Sequence, residues 1–192
     1  MIEKILEDVY GGTNDIFNYL EFHIGKRFIV VKDSLCKYVG LFDVDFLSYP
    51  IMSNSKHEKI SNLEIIENAK GDVLIGGFGL GLIVLPIMNK PEVTSVQIVE
   101  LHSEVIDLVA KQLPLNDKVE IINHDIFTFK PTKKYDTMFF DTVPYSWNTE
   151  EDKRARRLSE DEILSDEDLI RVYAKHLNDG GFCSYFQPKG DR

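Results

Sequence analysis

The segment that most constrains the fold is a short apolar run that leads directly into glycines, DVLIGGFGLG over residues 72–81. An apolar run of this length bounded by glycine is typical of a buried strand. Glycines after a strand let the backbone turn sharply and approach a ligand, because they carry no Cβ. In a doubly wound parallel sheet, ligands bind beyond the carboxyl ends of the strands. The stretch therefore predicts a strand, a ligand-binding turn and a helix that begins at about Gly81.

From residue 71 onward, apolar runs alternate with segments of helical spacing, which is the pattern of a parallel sheet covered by helices. Strands are predicted over 72–75, 95–99, 119–123, 135–141 and 182–186. Pro86 lies inside the first of the intervening helices and should kink or shorten it, because proline lacks the backbone N–H. The last helix is expected to end at Gly180-Gly181. The fold class predicted is α/β, a doubly wound, Rossmann-like and mostly parallel sheet.

The first 70 residues are predicted to form a smaller appendage of helices and a β-hairpin, with residues 71–192 as the main domain. The hairpin is expected from two alternating segments, 27–32 and 37–42, with a short turn between them. A helix is also expected over 15–22. Few residues follow the last strand, so the sheet should be short at that edge. We expect the Arg27–Phe42 hairpin to cover it.

Ser55 and Glu58 have the Ser-x-x-Glu spacing of a capping box, in which the two side chains bond to each other's backbone N–H groups. Apolar residues then recur at helical intervals as far as Asn68. A helix is therefore predicted just before the glycine-rich stretch.

Charge and composition exclude several classes of function. The chain has 192 residues, 43% of them hydrophobic, which suffices for one sizeable core, and its formal net charge is −10. Such a charge disfavours nucleic acid and anionic membrane surfaces as partners. The run 80–88 is too short to span a bilayer, and no basic leader precedes an apolar segment, so a cytoplasmic location is expected. The two cysteines are far apart and no histidine pair has ligand spacing, so no metal site is expected.

Acidic residues stand at the ends of the next two predicted strands. Glu100 lies about 20 residues beyond the glycine loop, where a carboxylate can accept both hydroxyls of a ribose. Asp125 follows the third strand, where it could accept the amino group of an adenine. The dinucleotide fingerprint G-x-G-x-x-G is not matched, because Leu82 occupies its third glycine position. The pattern favours an adenosine ligand over one held by its pyrophosphate.

Four motifs resemble the class I S-adenosylmethionine-dependent methyltransferases, and within them the spermidine-synthase-like branch, over residues 71–187. They are VLIGGFGLG (73–81), VQIVE (96–100), HD (124–125) and YDTMFFD (135–141). The resemblance implies S-adenosyl-L-methionine as the cofactor and a small molecule as the acceptor. The cofactor-binding residues that it implies are Gly77, Phe78, Gly79, Leu80, Gly81, Glu100, Leu101, Asp125, Ile126, Asp141 and Thr142.

The same resemblance implies that Asp141 closes the site near the sulfonium end. A carboxylate suits a cationic sulfonium and can take the proton of an amine acceptor, so Asp141 is expected to be catalytic and to contact the acceptor. Pro144, Tyr145 and Trp147 follow it and are expected to line the acceptor pocket. The segment Asp141-Thr142-Val143-Pro144 is also similar to guanidinoacetate methyltransferase. However, Ser48 stands where that enzyme has a substrate-binding glutamate, so its substrate is not carried over.

Three alternatives stay open. Aminopropyl transfer is suggested by the spermidine-synthase-like motifs, although Val143 stands where aminopropyltransferases carry their proton-accepting aspartate. A non-catalytic module that binds S-adenosylmethionine is the second, and a nucleotide-dependent oxidoreductase, disfavoured by the glycine spacing, is the third. A sheet edge left uncovered would also make a homodimer possible.

Overall fold

The computed structural model describes residues 1–142 and 166–187. The helices are α1 (Ile2–Tyr10), α2 (Lys56–Ser61), α3 (Leu63–Asn68), α4 (Val84–Met88), α5 (Ser103–Val109) and α6 (Asp166–Tyr173). The strands are β1 (His23–Ile24), β2 (Phe28–Asp33), β3 (Tyr38–Asp43), β4 (Met52–Ser53), β5 (Gly71–Gly76), β6 (Val93–Glu100), β7 (Val119–Asn123), β8 (Tyr135–Phe140) and β9 (Leu177–Tyr185).

The main sheet has five strands in the order β7-β6-β5-β8-β9, and every neighbouring pair is parallel. Strand β5, the first strand of this sheet in sequence, lies at its centre. The next two strands, β6 and β7, lie on one side of it, and the last two, β8 and β9, lie on the other. This is the topology of a doubly wound α/β fold. Strands β5 and β8 are almost wholly buried because helices and loops cover both faces of the sheet, which explains their continuous apolar runs. The predicted fold class is confirmed.

The predicted hairpin is also confirmed, with β2 and β3 paired antiparallel from Phe28↔Asp43 to Asp33↔Tyr38. Its predicted location is wrong. Strands β1 to β4 form a separate antiparallel sheet and pair with neither edge strand of the parallel sheet, β7 or β9. The reason is that the alternating burial of β2 and β3 gives them an apolar face of their own, which packs into the shared core rather than adding to a sheet edge.

The antiparallel sheet is held beside the carboxyl ends of the parallel strands by helix α5. The carboxylate of Glu104, in the first turn of α5, accepts the backbone N–H of Arg27 at 3.0 Å and that of Phe28 at 3.4 Å. The Phe28 ring lies 4.9 Å from the His102 ring, centroid to centroid. One apolar cluster includes Val30 and Leu41 together with strand residues of the parallel sheet. The antiparallel sheet is thereby fixed over the end of the parallel sheet at which ligands bind.

Three predicted elements differ in the structure. The helix predicted before the glycine-rich stretch is divided at Asn62 into α2 and α3. Instead of a helix over 15–22, a single 3₁₀ turn spans Ile16–Asn18, and the Asp15 side chain accepts from the N–H of Phe17 at its start. Gly180-Gly181 does not end a helix: α6 ends at Tyr173 and the glycine pair lies within β9. Gly180 has φ +73° where the register between β8 and β9 shifts, so this glycine forms an irregularity in a strand.

The helix after the glycine loop is short, as the position of Pro86 predicts. Helix α4 has five residues, all buried. Within the described parts of the chain, no helix has the length and apolar character needed to cross a membrane.

Candidate functional site

The glycine loop crosses between the ends of β6 and β8, where the order of the parallel strands reverses. The N–H of Gly77 donates to the carbonyl of Val99 at 2.9 Å. Gly77 has φ +95°, and a Cβ there would lie 2.1 Å from the carbonyl oxygen of Asp141. Side chains are therefore excluded at Gly77 by both backbone conformation and space. The loop is fixed at the switch point, which is the usual ligand site of this fold.

An open cleft of about 710 Å³, including solvent in its mouth, lies against this loop. Eight of the predicted cofactor residues line it: Gly77, Gly79, Glu100, Leu101, Asp125, Ile126, Asp141 and Thr142. Phe78, Leu80 and Gly81 do not. The side chains of Phe78 and Leu80 are buried in the core, and a Cβ on Gly81 would lie 2.5 Å from the Leu113 side chain. The structure thus brings together residues from the ends of β5, β6, β7 and β8.

Glu100 is held rigidly at the end of β6. Its side chain is buried, with 6% of the residue exposed. One carboxylate oxygen accepts the N–H of Phe78 at 2.8 Å, and the other accepts the N–H of His102 at 2.8 Å. Each oxygen has a second lone pair, so this carboxylate can still accept one hydrogen bond at each oxygen from a ligand in the cleft.

Asp125 carries an acceptor atom that has no partner. Its Oδ1 accepts the N–H of Phe127 at 2.9 Å, whereas its Oδ2 is buried and receives no hydrogen bond. Leaving a buried carboxylate oxygen unbonded costs on the order of 1–3 kcal/mol. Because Asp125 lines the cleft, the cost would be recovered by a ligand that donates an N–H or O–H to this atom.

Asp141 follows β8 and lines the cleft beside Gly77, in the part that we call the inner end of the cleft. Its backbone N–H donates to the carbonyl of Gly76 at 2.8 Å, which fixes the residue beside the glycine loop. Burial raises the pKa of the Asp141 carboxyl well above its usual value, and the nearby carboxylates of Glu58 and Asp166 raise it further. The hydroxyl of Thr142 donates to the Asp166 carboxylate. This end of the cleft therefore favours a cation or a proton donor.

Glu58 is a residue that sequence reasoning assigned only to helix capping. The Ser55 hydroxyl does accept the N–H of Glu58, at 3.3 Å. The return bond of the predicted capping box is absent, because the N–H of Ser55 donates to the Ser53 hydroxyl instead, also at 3.3 Å. Burial raises the pKa of the Glu58 carboxyl to about 7. No sequence signal could reveal that Glu58 lies near the site, since its position depends on how α2 packs near Asp141.

A second part of the cleft lining is apolar and comes from the antiparallel sheet and the segment before β4. It consists of Phe28, Leu41, Ile51 and Met52. The sulfur of Met52 accepts the N–H of Leu80 at 3.3 Å. Sequence reasoning did not assign these four to the site, because nothing in their spacing distinguishes them from ordinary strand residues. Pro144, Tyr145 and Trp147, which were predicted to line the acceptor pocket, lie outside the described residues.

No family model matches this chain, and no curated protein matches it. Among solved structures, it is similar to the N-methyltransferase NodS from Bradyrhizobium japonicum WM9 in complex with S-adenosyl-L-homocysteine, with 14% identity over 67% of this chain and 62% of that one, and a TM-score of 0.48. It is also similar to the DhpI–SAH complex, with 22% identity over 64% of this chain and 54% of that one, and a TM-score of 0.44. The third is the glycopeptide N-methyltransferase MtfA complexed with (S)-adenosyl-L-methionine, with 20% identity over 64% of this chain and 47% of that one, and a TM-score of 0.44. This chain therefore spans about half to three fifths of their lengths, and the fold assignment rests on its own strand order.

Proposed function

We propose that this chain binds S-adenosylmethionine and transfers its methyl group to a small molecule. The observation that carries the proposal is the unpartnered, buried Oδ2 of Asp125, a residue that lines the same cleft as Glu100. Two acceptor groups at the ends of neighbouring parallel strands suit the amino group and the ribose hydroxyls of an adenosine.

The donor and acceptor groups of the cleft fit this ligand better than a dinucleotide. Glu100 would accept the two ribose hydroxyls, and the Oδ2 of Asp125 would accept the adenine amino group. Among the described residues that line the cleft there is no lysine or arginine, so a pyrophosphate would find no cationic side chain. Together with Leu82 at the third glycine position of the dinucleotide fingerprint, this disfavours the oxidoreductase alternative.

When bound, S-adenosylmethionine supplies a methyl group on a cationic sulfonium. Asp141 is the residue that we propose contacts the acceptor, since it lines the inner end of the cleft beside Gly77. In its ionised form, beside the cationic sulfonium, the Asp141 carboxylate could take the proton that an amine acceptor must lose. Alignment of the acceptor in the cleft would provide much of the remaining acceleration.

Aminopropyl transfer is the second candidate, and the observation that favours it is the charge at this inner end. The carboxylates of Glu58 and Asp166 are near enough to raise the pKa of the Asp141 carboxyl, and a site with three carboxyl groups suits an amine acceptor. The resemblance to the spermidine-synthase-like branch points the same way. The two reactions differ in their cofactor, because aminopropyl transfer needs the decarboxylated form.

The first experiment is calorimetric titration of the chain with S-adenosylmethionine, decarboxylated S-adenosylmethionine and NAD, repeated with Glu100→Gln and Glu100→Ala. We expect S-adenosylmethionine to bind and the affinity to fall about 30-fold or more in Glu100→Ala, because two hydrogen bonds to a charged group are lost. Glu100→Gln keeps the shape and one acceptor oxygen, and should lose less.

The alternatives give different results in the same experiment. Preference for decarboxylated S-adenosylmethionine would favour aminopropyl transfer. Binding of S-adenosylmethionine without turnover over a broad panel of amines, alcohols and acids would favour a non-catalytic module. Absence of binding by all three ligands, in a sample with a cooperative unfolding transition, would contradict the proposed function.

A further inference from the structure

The loop that follows β7 supplies Asp125 and Ile126 to the cleft lining, and a tyrosine of helix α6 fixes its backbone. The hydroxyl of Tyr173 lies 2.6 Å from the backbone carbonyl oxygen of Ile126 and 3.1 Å from that of Phe129. A hydroxyl has one proton, so Tyr173 donates chiefly to the nearer carbonyl, that of Ile126. One side chain thus contacts both ends of the segment 126–129.

Tyr173 is itself held in a fixed position. The residue is 2% exposed, and its ring packs against that of Phe140 in β8, with 5.2 Å between the ring centroids. Burial raises the pKa of Tyr173 above its ordinary value, and the nearby Tyr135 hydroxyl and Asp125 carboxylate raise it further. The Tyr173 hydroxyl therefore keeps its proton at neutral pH and remains a donor to the loop.

The same loop orients the Asp125 carboxylate. The backbone carbonyl of Asp125 accepts the N–H of Thr128 at 3.1 Å and that of Phe129 at 2.8 Å. Its Oδ1 accepts the N–H of Phe127 at 2.9 Å. Each of these bonds joins Asp125 to the segment that Tyr173 holds. The buried Oδ2 of Asp125 has no hydrogen-bond partner, so the turn of the backbone sets where this atom lies.

We infer that Tyr173 is a positioning residue for adenine recognition, which acts through Asp125 by holding the turn 125–129 in the orientation that presents Oδ2 to the adenine amino group. This inference rests on the proposed function. Without the hydroxyl, the carbonyl of Ile126 loses a donor in a buried environment, which is costly, and the turn would rotate to bring that carbonyl to water. The rotation moves Asp125 and weakens its bond to the amino group, whereas Glu100 is held by other backbone groups and keeps its place.

The test compares S-adenosylhomocysteine with its analogue in which the 6-amino group of the adenine is replaced by hydrogen, on the full chain and on Tyr173→Phe. Phenylalanine keeps the ring that packs against Phe140 and removes only the hydroxyl. Calorimetry should show that the parent chain prefers S-adenosylhomocysteine about tenfold or more, as expected for one hydrogen bond to a charged acceptor. Tyr173→Phe should lose most of this preference, while its affinity for the analogue changes little.

Tyr135→Phe is the matched control, because it removes the hydroxyl of another buried tyrosine in the same apolar cluster. The Tyr135 hydroxyl donates instead to the Gln97 side chain on β6. Both variants should lose stability to a similar extent in urea unfolding, but Tyr135→Phe should keep the parent's preference between the two ligands. Equal preferences in the two variants would overturn the role of Tyr173 and leave the proposed function standing.

A double-mutant cycle separates an effect through Asp125 from a general loosening of the cleft. If Tyr173 acts through Asp125, adding Tyr173→Phe to Asp125→Asn should not lower the preference any further. A further loss in the double variant would contradict the inference. Equal affinities of the parent chain for the two ligands would also contradict it, since Asp125 would then not bind the amino group. If neither ligand binds the parent chain, both the proposed function and this inference fail.

Discussion

The two walls of the cleft are built in different ways. One wall carries Glu100, Asp125 and Asp141, each of which follows or ends a strand of the parallel sheet, and the other carries four apolar side chains from the antiparallel sheet and the residues leading into β4. The acidic wall is rigid because the register of a buried parallel sheet fixes where each strand ends. The apolar wall belongs to a separate sheet, which is held by packing in the shared apolar core and by the hydrogen bonds of Glu104 with the start of β2. The side chains that can hydrogen-bond a ligand thus lie on the parallel sheet. The apolar side chains that complete the cleft lie on the antiparallel sheet, which is attached separately.

The largest effect on turnover should come from replacing Asp141, the proposed proton acceptor of the wall that carries Glu100, Asp125 and Asp141. Asp141→Asn keeps the size of the side chain but cannot take a proton, so we expect turnover to fall about 100-fold or more. The affinity for S-adenosylmethionine should change far less, because Glu100 and Asp125 are untouched. Steady-state kinetics and calorimetry on one preparation separate the two effects. Equal losses in both would place Asp141 in cofactor binding instead.

The next effect concerns stability, and its sign follows from the raised pKa of Glu58. The folded chain holds the proton of this carboxyl up to about pH 7, whereas the ordinary value is 4.5. The folded state therefore binds more protons in that interval, and stability is lost as the pH rises from about 4.5 through 7. Glu58→Gln should raise the free energy of unfolding at pH 8 by about 1–3 kcal/mol and flatten this pH dependence.

Urea unfolding at pH 5 and pH 8 checks this prediction. Glu67→Gln is the matched control, because Glu67 lies on the neighbouring helix α3 and is exposed to solvent. That variant should keep the pH dependence of the parent chain. If Glu58→Gln behaves like the control, the carboxyl of Glu58 is solvated and does not belong to the acidic end of the cleft.

A smaller effect tests the Oδ2 atom of Asp125, which has no hydrogen-bond partner. Asp125→Asn should weaken binding of an adenosine ligand about tenfold, because the acceptor Oδ2 is replaced by an amide group or must share one oxygen with the N–H of Phe127. The inosine analogue, which lacks the amino group, should bind the parent chain weakly and the variant about as well as the adenosine ligand. Competition between the two analogues measures the preference. A preference that survives in Asp125→Asn would mean that the adenine is recognised elsewhere.

The smallest effect tests how the apolar wall is attached. Glu104→Gln weakens the acceptors for the N–H groups of Arg27 and Phe28 and should lower stability by about 1 kcal/mol. Amide hydrogen exchange in β2 should speed up while exchange in β5 stays the same. Uniform acceleration in both strands would show that the two sheets unfold as one unit.

The acidic wall could be predicted from the sequence, and the apolar wall could not. The end of a buried parallel strand is visible as the last residue of an apolar run, so Glu100, Asp125 and Asp141 could be placed at one rim without knowing the packing. The positions of Met52 and Glu58 depend on how a separate sheet and a short helix dock, which leaves no periodic signal. The same cause explains why the hairpin was recognised but placed at the wrong edge.

Strand order also has a consequence for folding during synthesis. Strands β1 to β4 each pair with their neighbour in sequence, so the strand pairing of the antiparallel sheet is local and can form early. Strand β5 can pair with β6 first, but its other side stays unpaired until β8 is made, since Val73 pairs there with Thr137. The backbone bond from Asp141 to Gly76, just before the glycine loop, forms only with β8 in place. We therefore expect the nascent chain to acquire affinity for its ligand late and abruptly. The ligand would then stabilise the completed fold and would not stabilise earlier intermediates.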